Sequence, residues 1–180
     1  MSLSDDAFRA RAEKLRFLLM DADGILTDGR ISVGPDGAEW KHFHARDGLG
    51  IKIAQKAGLG TGLISGRRSE AIERRARELR FDEIHQGVAD KLRLFNTLLE
   101  RRGLEAQEVA YVGDDLVDVQ VMTLAGLAFA VPEAPDEVRR VAHYVTRVPG
   151  GHGAVREVIE VILKARGLWA AILETYGATP

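Results

Sequence analysis

The chain has 180 residues, 46% of them apolar, enough for one compact domain spanning 1–180 with a substantial core. Its 25 basic and 27 acidic residues nearly cancel, so no global field draws it to nucleic acid or to an anionic membrane, and any anion recognition has to be local. The lack of cysteine excludes a disulfide framework, a thiolate metal site and a cysteine nucleophile.

The first sixteen residues, "MSLSDDAFRARAEKLR", are charged throughout and lack the apolar centre of a signal peptide. No apolar run elsewhere approaches the ~18 residues of a membrane span, and a cytoplasmic protein is the expectation. Next comes "RFLLMD" (16–21), a short apolar run ending in aspartate, which reads as a buried strand. "GRISVGPDGAEWKHFHARDG" (29–48) holds two extended stretches around Gly34-Pro35-Asp36-Gly37, so a β-hairpin is expected over about 29–46. His42 and His44 would alternate on one face of it. Further strands are expected at "LGTGLIS" (59–65), "DEIHQ" (82–86), "VAYVGD" (109–114), "LAFAV" (127–131) and "HYVT" (143–146). Between them, "DGLGIKIAQKAG", "RSEAIERRARELR", "ADKLRLFNTLLERRG" and "LVDVQVMTLAG" carry apolar residues at helical spacing. "GAVREVIEVILKARG" reads as a further helix after a flexible "GGHG" bend, with a shorter helical or irregular tail beyond it. Regular alternation of strand and helix predicts a doubly wound α/β fold with a mostly parallel sheet, whose site lies beyond the carboxyl ends of the strands.

Those strand ends are where chemistry-bearing residues collect. "DADG" puts Asp21 at the end of the first strand and Asp23 two residues on, past a bend that Gly24 can relax. An EF-hand calcium loop would need a helix before it and glycine at its sixth position, and neither is present. "LISGRRS" places Ser65 where a helix begins, a plain N-cap or, with the following amides, an anion site. Lys91 opens a helix against the dipole preference for acids there. "GDDLVD" adds Asp114, Asp115 and Asp118, a second acidic cluster after a second apolar strand. Two carboxylates about 4 Å apart repel by roughly 4 kcal/mol at an effective dielectric of 20, so a divalent cation is the natural partner for such a crowd. The glycines of "GLGTG" precede a strand and so do not form a dinucleotide loop.

Taken in order, "DADGILTDG", "ISG", "DK" and "GDDLVD" resemble the signature of the haloacid dehalogenase superfamily of phosphotransferases. The resemblance implies that Asp21 is a nucleophile and Asp23 a general acid and base, with Ser65 and Lys91 on the phosphoryl group. It also implies Mg2+ on Asp21, Asp23 and Asp114, with Asp115 and Asp118 supporting that shell. Only about twenty residues follow the first strand before the next helix, too few for the cap domain that many superfamily members carry. "DADGILTDGRI", "FHARDGLGIK", "LISGRRS" and "GGHGAVREVIEVIL" are similar to the 3-deoxy-D-manno-octulosonate 8-phosphate phosphatases of lipopolysaccharide synthesis, which are capless, magnesium-dependent homotetramers.

This closer resemblance implies a sugar-phosphate substrate held by Asp23, His44, Ala45, Arg46, Asp47, Gly48, Lys52, Arg67, Arg75 and Lys91. It also implies active sites completed by a neighbouring subunit. His152 stands where that family has an arginine-like residue. A solvated helix face is the plain reading of Arg75, inside "IERRARELR". Two other readings stand beside this one: a phosphatase of a related nine-carbon sugar-acid phosphate, and a non-catalytic tetramer-forming module.

Overall fold

Phe17–Met20 (β1) is wholly apolar and wholly buried because it runs through the middle of a sheet covered on both faces. The computed structural model describes residues 3–178. Beside β1 lie Gly60–Ser65 (β4) and Glu83–Gln86 (β5) on one side, and Val109–Gly113 (β6), Leu127–Ala130 (β7) and Tyr144–Val145 (β8) on the other. Every pairing in this sheet is parallel, and all six expected strands take part. The chain moves outward from β1 to β5, then crosses back to β6 and moves the other way. Strand order therefore reverses between β1 and β6, and a crevice opens beyond their carboxyl ends.

Ala45–Lys56 (α2) and Ala154–Ala165 (α7) pack together on one face, joined by Asp5–Lys14 (α1). Lys91–Arg102 (α4), Val119–Leu124 (α5) and Asp136–Val141 (α6) pack in series. Glu70–Glu78 (α3) joins β4 to β5, and Trp169–Thr175 (α8) follows α7. Two of these helices were not expected. α1 is nearly all charge outside, yet Ser4 accepts from the Ala7 amide at its start, two acids fill its first turn, and Ala12 is buried. α6 has only six residues, too few for a helical period to register in the sequence.

The α2–α7 contact shows one helix capping another. Gly153, the residue before α7, has no side chain to accept from the first-turn amides. Asp47 of α2 does it instead, its Oδ1 accepting from the Arg156 amide at 2.8 Å. Burial raises the Asp47 carboxyl pKa, against the pull of these donors.

The expected hairpin is present but shorter. Ser32–Val33 (β2) pairs antiparallel with Glu39–Trp40 (β3), and the turn between closes through Gly34, which accepts from Gly37 and donates to Ala38. Residues 41–44 are not extended strand, so His42 and His44 do not form the alternating pair expected of them. His44 is instead the N-cap position of α2, which starts at Ala45. The outward residues of the hairpin are bare, with Ile31 52%, Val33 64% and Trp40 65% exposed. The "GGHG" bend is not loose: a Cβ on Gly150 would fall 1.7 Å from the Gly24 carbonyl oxygen, and the Gly151 amide donates to Ile25 at 2.9 Å. It is packed under the loop that follows β1.

Gly126, at the entry to β7, has the same kind of crowding, since a Cβ there would lie 2.1 Å from the backbone oxygen of Gln107. Backbone cannot yield as a flexible side chain can. Gly126→Ala is expected to cost on the order of 1–3 kcal/mol of unfolding free energy, read from urea denaturation. An unchanged midpoint would show that the 106–108 turn moves freely.

Candidate active site

β1 ends at Met20, and the Asp21 amide still reaches the neighbouring strand, donating to Val112 at 2.9 Å. That last ladder bond sets Asp21 at the mouth of the crevice, with one carboxylate oxygen accepting from the Ala22 amide at 2.7 Å. The chain then turns through Gly24, whose φ of +81° and lack of a side chain are both required. A Cβ there would lie 2.0 Å from Asp114 Oδ2. Gly24 thus admits the carboxylate at the end of β6 alongside the loop after β1.

Asp118 is the pivot of the acidic cluster. Its side chain is fully buried, with Oδ1 accepting from Lys91 Nζ and Tyr111 Oη, each at 2.7 Å. Oδ2 accepts from the amides of Asp114 and Asp115 at 3.1 and 3.3 Å. All of its lone-pair sites are therefore engaged within the protein. Asp21, Asp114 and Asp118 bring ligand oxygens within 4.8 Å of one another. Asp114 Oδ1 is buried and has no hydrogen-bond partner. A buried carboxylate oxygen without a partner, beside another carboxylate, fits a hard cation with oxygen ligands such as magnesium. Asp21 and Asp114 would hold it, and Asp118, already saturated, would support them.

Electrostatics follow from this crowding. Burial, partly offset by Lys91, raises the Asp21 pKa to about 6. Burial and then the Asp21 charge raise Asp114 to about 8. Burial alone would lower the Lys91 pKa, but Asp21 at 3.1 Å and Asp118 outweigh it and raise it, so the ammonium stays charged. Tyr111 is pushed well above its ordinary range by burial and by Asp118, and it remains a neutral donor.

Asp21, Asp23, Ser65, Arg67, Lys91, Asp114 and Asp115 together line a cleft of about 320 Å3. Ser65, the last residue of β4, is buried and accepts from the Arg67 amide at 3.2 Å. Asp115 is an exposed N-cap of the turn 116–118. The other sequence-named residues lie outside this cleft in the single chain. Ala45, Arg46 and Lys52 are exposed, while Asp47, beside Gly48 in the first turn of α2, faces α7. His44 has a buried Nδ1 without a partner. Arg75 crosses Gly48, pairs with Glu78 at 2.9 Å and faces the Phe43 ring. It lines a separate groove of about 700 Å3 between the hairpin base and α3. His152 is exposed.

Two hairpin residues that the sequence does not mark, Glu39 and Lys41, border the neighbouring groove and touch the charged residues of the cleft. Lys41 Nζ lies 2.5 Å from Asp23 Oδ1 and 3.4 Å from Glu39. Arg67 bridges the same two carboxylates, at 2.7 Å to Glu39 and 3.7 Å to Asp23. Glu39 and Lys41 flank the exposed Trp40, and Lys41 lies past the end of β3, so no strand period marked it.

Comparison with known proteins places this geometry. A family model described as haloacid dehalogenase-like hydrolase matches residues 81–159. The 3-deoxy-D-manno-octulosonate 8-phosphate phosphatase KdsC of Escherichia coli K12 is 44% identical over 158 residues, 88% of this chain and 84% of that protein. The crystal structure of the phosphatase of that name from Moraxella catarrhalis, in complex with magnesium, phosphate and KDO, superposes with a TM-score of 0.93. It is 39% identical and covers 95% of this chain and 98% of its own. A cobalt-bound phosphatase of the same kind from Haemophilus influenzae gives a TM-score of 0.83 at 37% identity, covering 87% of this chain and 92% of its own.

The raised carboxyl pKa values fix a pH dependence. Unfolded, both carboxyls titrate near 3.8; folded and metal-free, Asp21 titrates near 6 and Asp114 near 8. The folded state then holds more protons, so these two groups lower stability as pH rises from about 4 to about 8. Magnesium competes with the same protons. The rise in melting temperature on adding magnesium to chelator-treated protein is therefore expected to be larger at pH 8 than at pH 5, and Asp114→Asn should flatten the difference. An equal rise at both pH values would refute the cluster as the metal site.

Proposed function

Since this chain belongs to the haloacid dehalogenase-like hydrolases and, among them, to the 3-deoxy-D-manno-octulosonate 8-phosphate phosphatases, we propose that it hydrolyses 3-deoxy-D-manno-octulosonate 8-phosphate to the free sugar acid and phosphate. The observation that carries this is the single cleft into which Asp21, Asp23, Ser65, Lys91 and Asp114 converge. Kinship of 44% over most of the chain supports the choice of ester.

In the proposed reaction an Asp21 carboxylate oxygen attacks phosphorus as the ester P–O bond breaks, and the leaving oxygen takes a proton from Asp23. A water then attacks the same phosphorus and gives its proton to Asp23, and the Asp21–phosphorus bond breaks. Ser65 donates to a phosphoryl oxygen and Lys91 neutralises another, holding charge where it accumulates. When bound, magnesium supplies a hard positive charge that screens Asp21 from the incoming phosphate. Asp118 keeps Lys91 and the 114–115 amides in place, through the hydrogen bonds described above.

The cleft is open, and the bare hairpin residues Ile31, Val33 and Trp40 form an apolar face that a lone subunit would leave in water. Both features support a homotetramer in which hairpins meet and a neighbour completes each site. There Arg46, Lys52 and Arg75 would reach the sugar acid, arginine's planar fork suiting its carboxylate. No helix among the described residues is long and apolar enough to cross a membrane. Action in the cytoplasm, in lipopolysaccharide synthesis, completes the reading.

With magnesium and a panel of sugar phosphates, phosphate release is expected to be fastest from 3-deoxy-D-manno-octulosonate 8-phosphate. Asp21→Asn should abolish it while leaving the fold intact. Preference for a nine-carbon sugar-acid phosphate would move the substrate, and inactivity towards every ester would point to a non-catalytic module. Sedimentation should give a tetramer, and Trp40→Asp a smaller, less active species. A fully active monomer would remove the subunit-completed site.

A further inference from the structure

Lys41 is an unusual residue to find where it is. Its side chain is 0% exposed, at the base of a hairpin whose other face is open to water. Withdrawing an ammonium from water costs several kcal/mol unless close counter-charges offset it. The counter-charges here are Asp23 at 2.5 Å and Glu39 at 3.4 Å. Glu39 and Lys41 meet at 3.4 Å beside the exposed Trp40, so the hairpin base carries a charged side turned to Asp23 and Arg67 and an apolar side in water.

The contact is selective within the Asp23 carboxylate. Oδ1 accepts from Lys41, with the Thr27 hydroxyl at a marginal 3.5 Å. Oδ2 is buried and has no hydrogen-bond partner, with Arg67 Nε at 3.7 Å. Arg67 cannot replace Lys41 as the anchor, since it is 47% exposed on its side chain and its short contact is to Glu39 instead. One oxygen is thus tied to a buried donor, and the other makes no hydrogen bond, in a residue that lines the cleft. That is what a group exchanging a proton with substrate requires: a defined rotamer and one oxygen unengaged.

We propose that Lys41 is a positioning residue: it locks Oδ1 of Asp23 so that Oδ2 faces the leaving oxygen, and it makes the seating of the hairpin a condition for proton transfer. This rests on the phosphatase reading above. In the first half-reaction the Asp21 oxygen–phosphorus bond forms, the ester P–O bond breaks and the proton passes from Asp23 Oδ2 to the departing oxygen. In the second, water's oxygen bonds to phosphorus, its proton passes to Oδ2, and the Asp21–phosphorus bond breaks. The first proton matters when the leaving group is a poor one such as a sugar hydroxyl. It matters little for 4-nitrophenolate.

The test compares wild type, Lys41→Met and Lys41→Arg on both esters, in steady state and in the first turnover. Lys41→Met is expected to lower kcat on the sugar phosphate on the order of 10- to 100-fold with KM changed less than about 3-fold. First-turnover nitrophenolate release from 4-nitrophenyl phosphate should stay within about 3-fold of wild type, followed by slow steady-state turnover, because hydrolysis of the aspartyl phosphate still draws on Asp23. Lys41→Arg should recover part of the loss. An equal fall in the first turnover of both esters would make Lys41 a merely structural anchor, and no fall on the sugar phosphate would remove it altogether; either overturns the proposal. If Lys41→Met does not fold, Lys41→Gln carries the same comparison. Wild-type inactivity on the sugar phosphate would instead overturn the phosphatase reading.

Discussion

Repulsion among buried carboxylates governs the architecture at the strand ends. Asp21, Asp114 and Asp118 hold oxygens within 4.8 Å of one another where little water reaches. Two ionised carboxylates about 4 Å apart repel by roughly 4 kcal/mol at an effective dielectric of 20. Lys91 answers part of this by sitting between Asp21 and Asp118, and Tyr111 with two backbone amides answers more. What remains is Asp114 Oδ1, buried and unpartnered, with a pKa raised to about 8. The protein thus holds an unfinished charge balance that a cation and a phosphate complete.

The fold supplies the precision that this balance needs. β1 and β6 are adjacent and parallel, so Asp21 and Asp114 leave the sheet side by side. Their loops then pack without intervening side chains: Gly24 admits the Asp114 carboxylate, and Gly150 admits the Gly24 carbonyl. A chain of close contacts therefore runs from the turn at 150–151, through the loop after β1, to the acidic cluster. Charge placement follows from these close backbone approaches together with the Lys91 and Tyr111 contacts to Asp21 and Asp118.

The hairpin adds a second layer of control. Its inner face reaches Asp23 through Lys41, which Glu39 also pairs, while its outer face is apolar and open. A small element thereby links the surface of the subunit to the residue proposed to move the proton.

Much of this was legible beforehand. Apolar runs marked the four central strands, because a strand buried on both faces has to be apolar throughout, while the partly exposed edge strands at "DEIHQ" and "HYVT" showed only as short extended candidates. The order Asp21, Ser65, Lys91, Asp114 along successive strand ends marked the cleft for the same topological reason. Other features depend on contacts between distant segments that no local pattern encodes. Nothing in the sequence marks Lys41 until the hairpin brings it to Asp23. Asp47 reads as part of a substrate stretch until α7 arrives and presents its amides. α1 reads as solvated charge until Ala12 and its neighbours find the core. The sequence by itself determined the apolar runs of the central strands, the helical periods and which chemistry lies at the strand ends, since periodicity and residue order are local properties. Only the tertiary structure decided which charges meet, because a charge pair is set by distance across the fold.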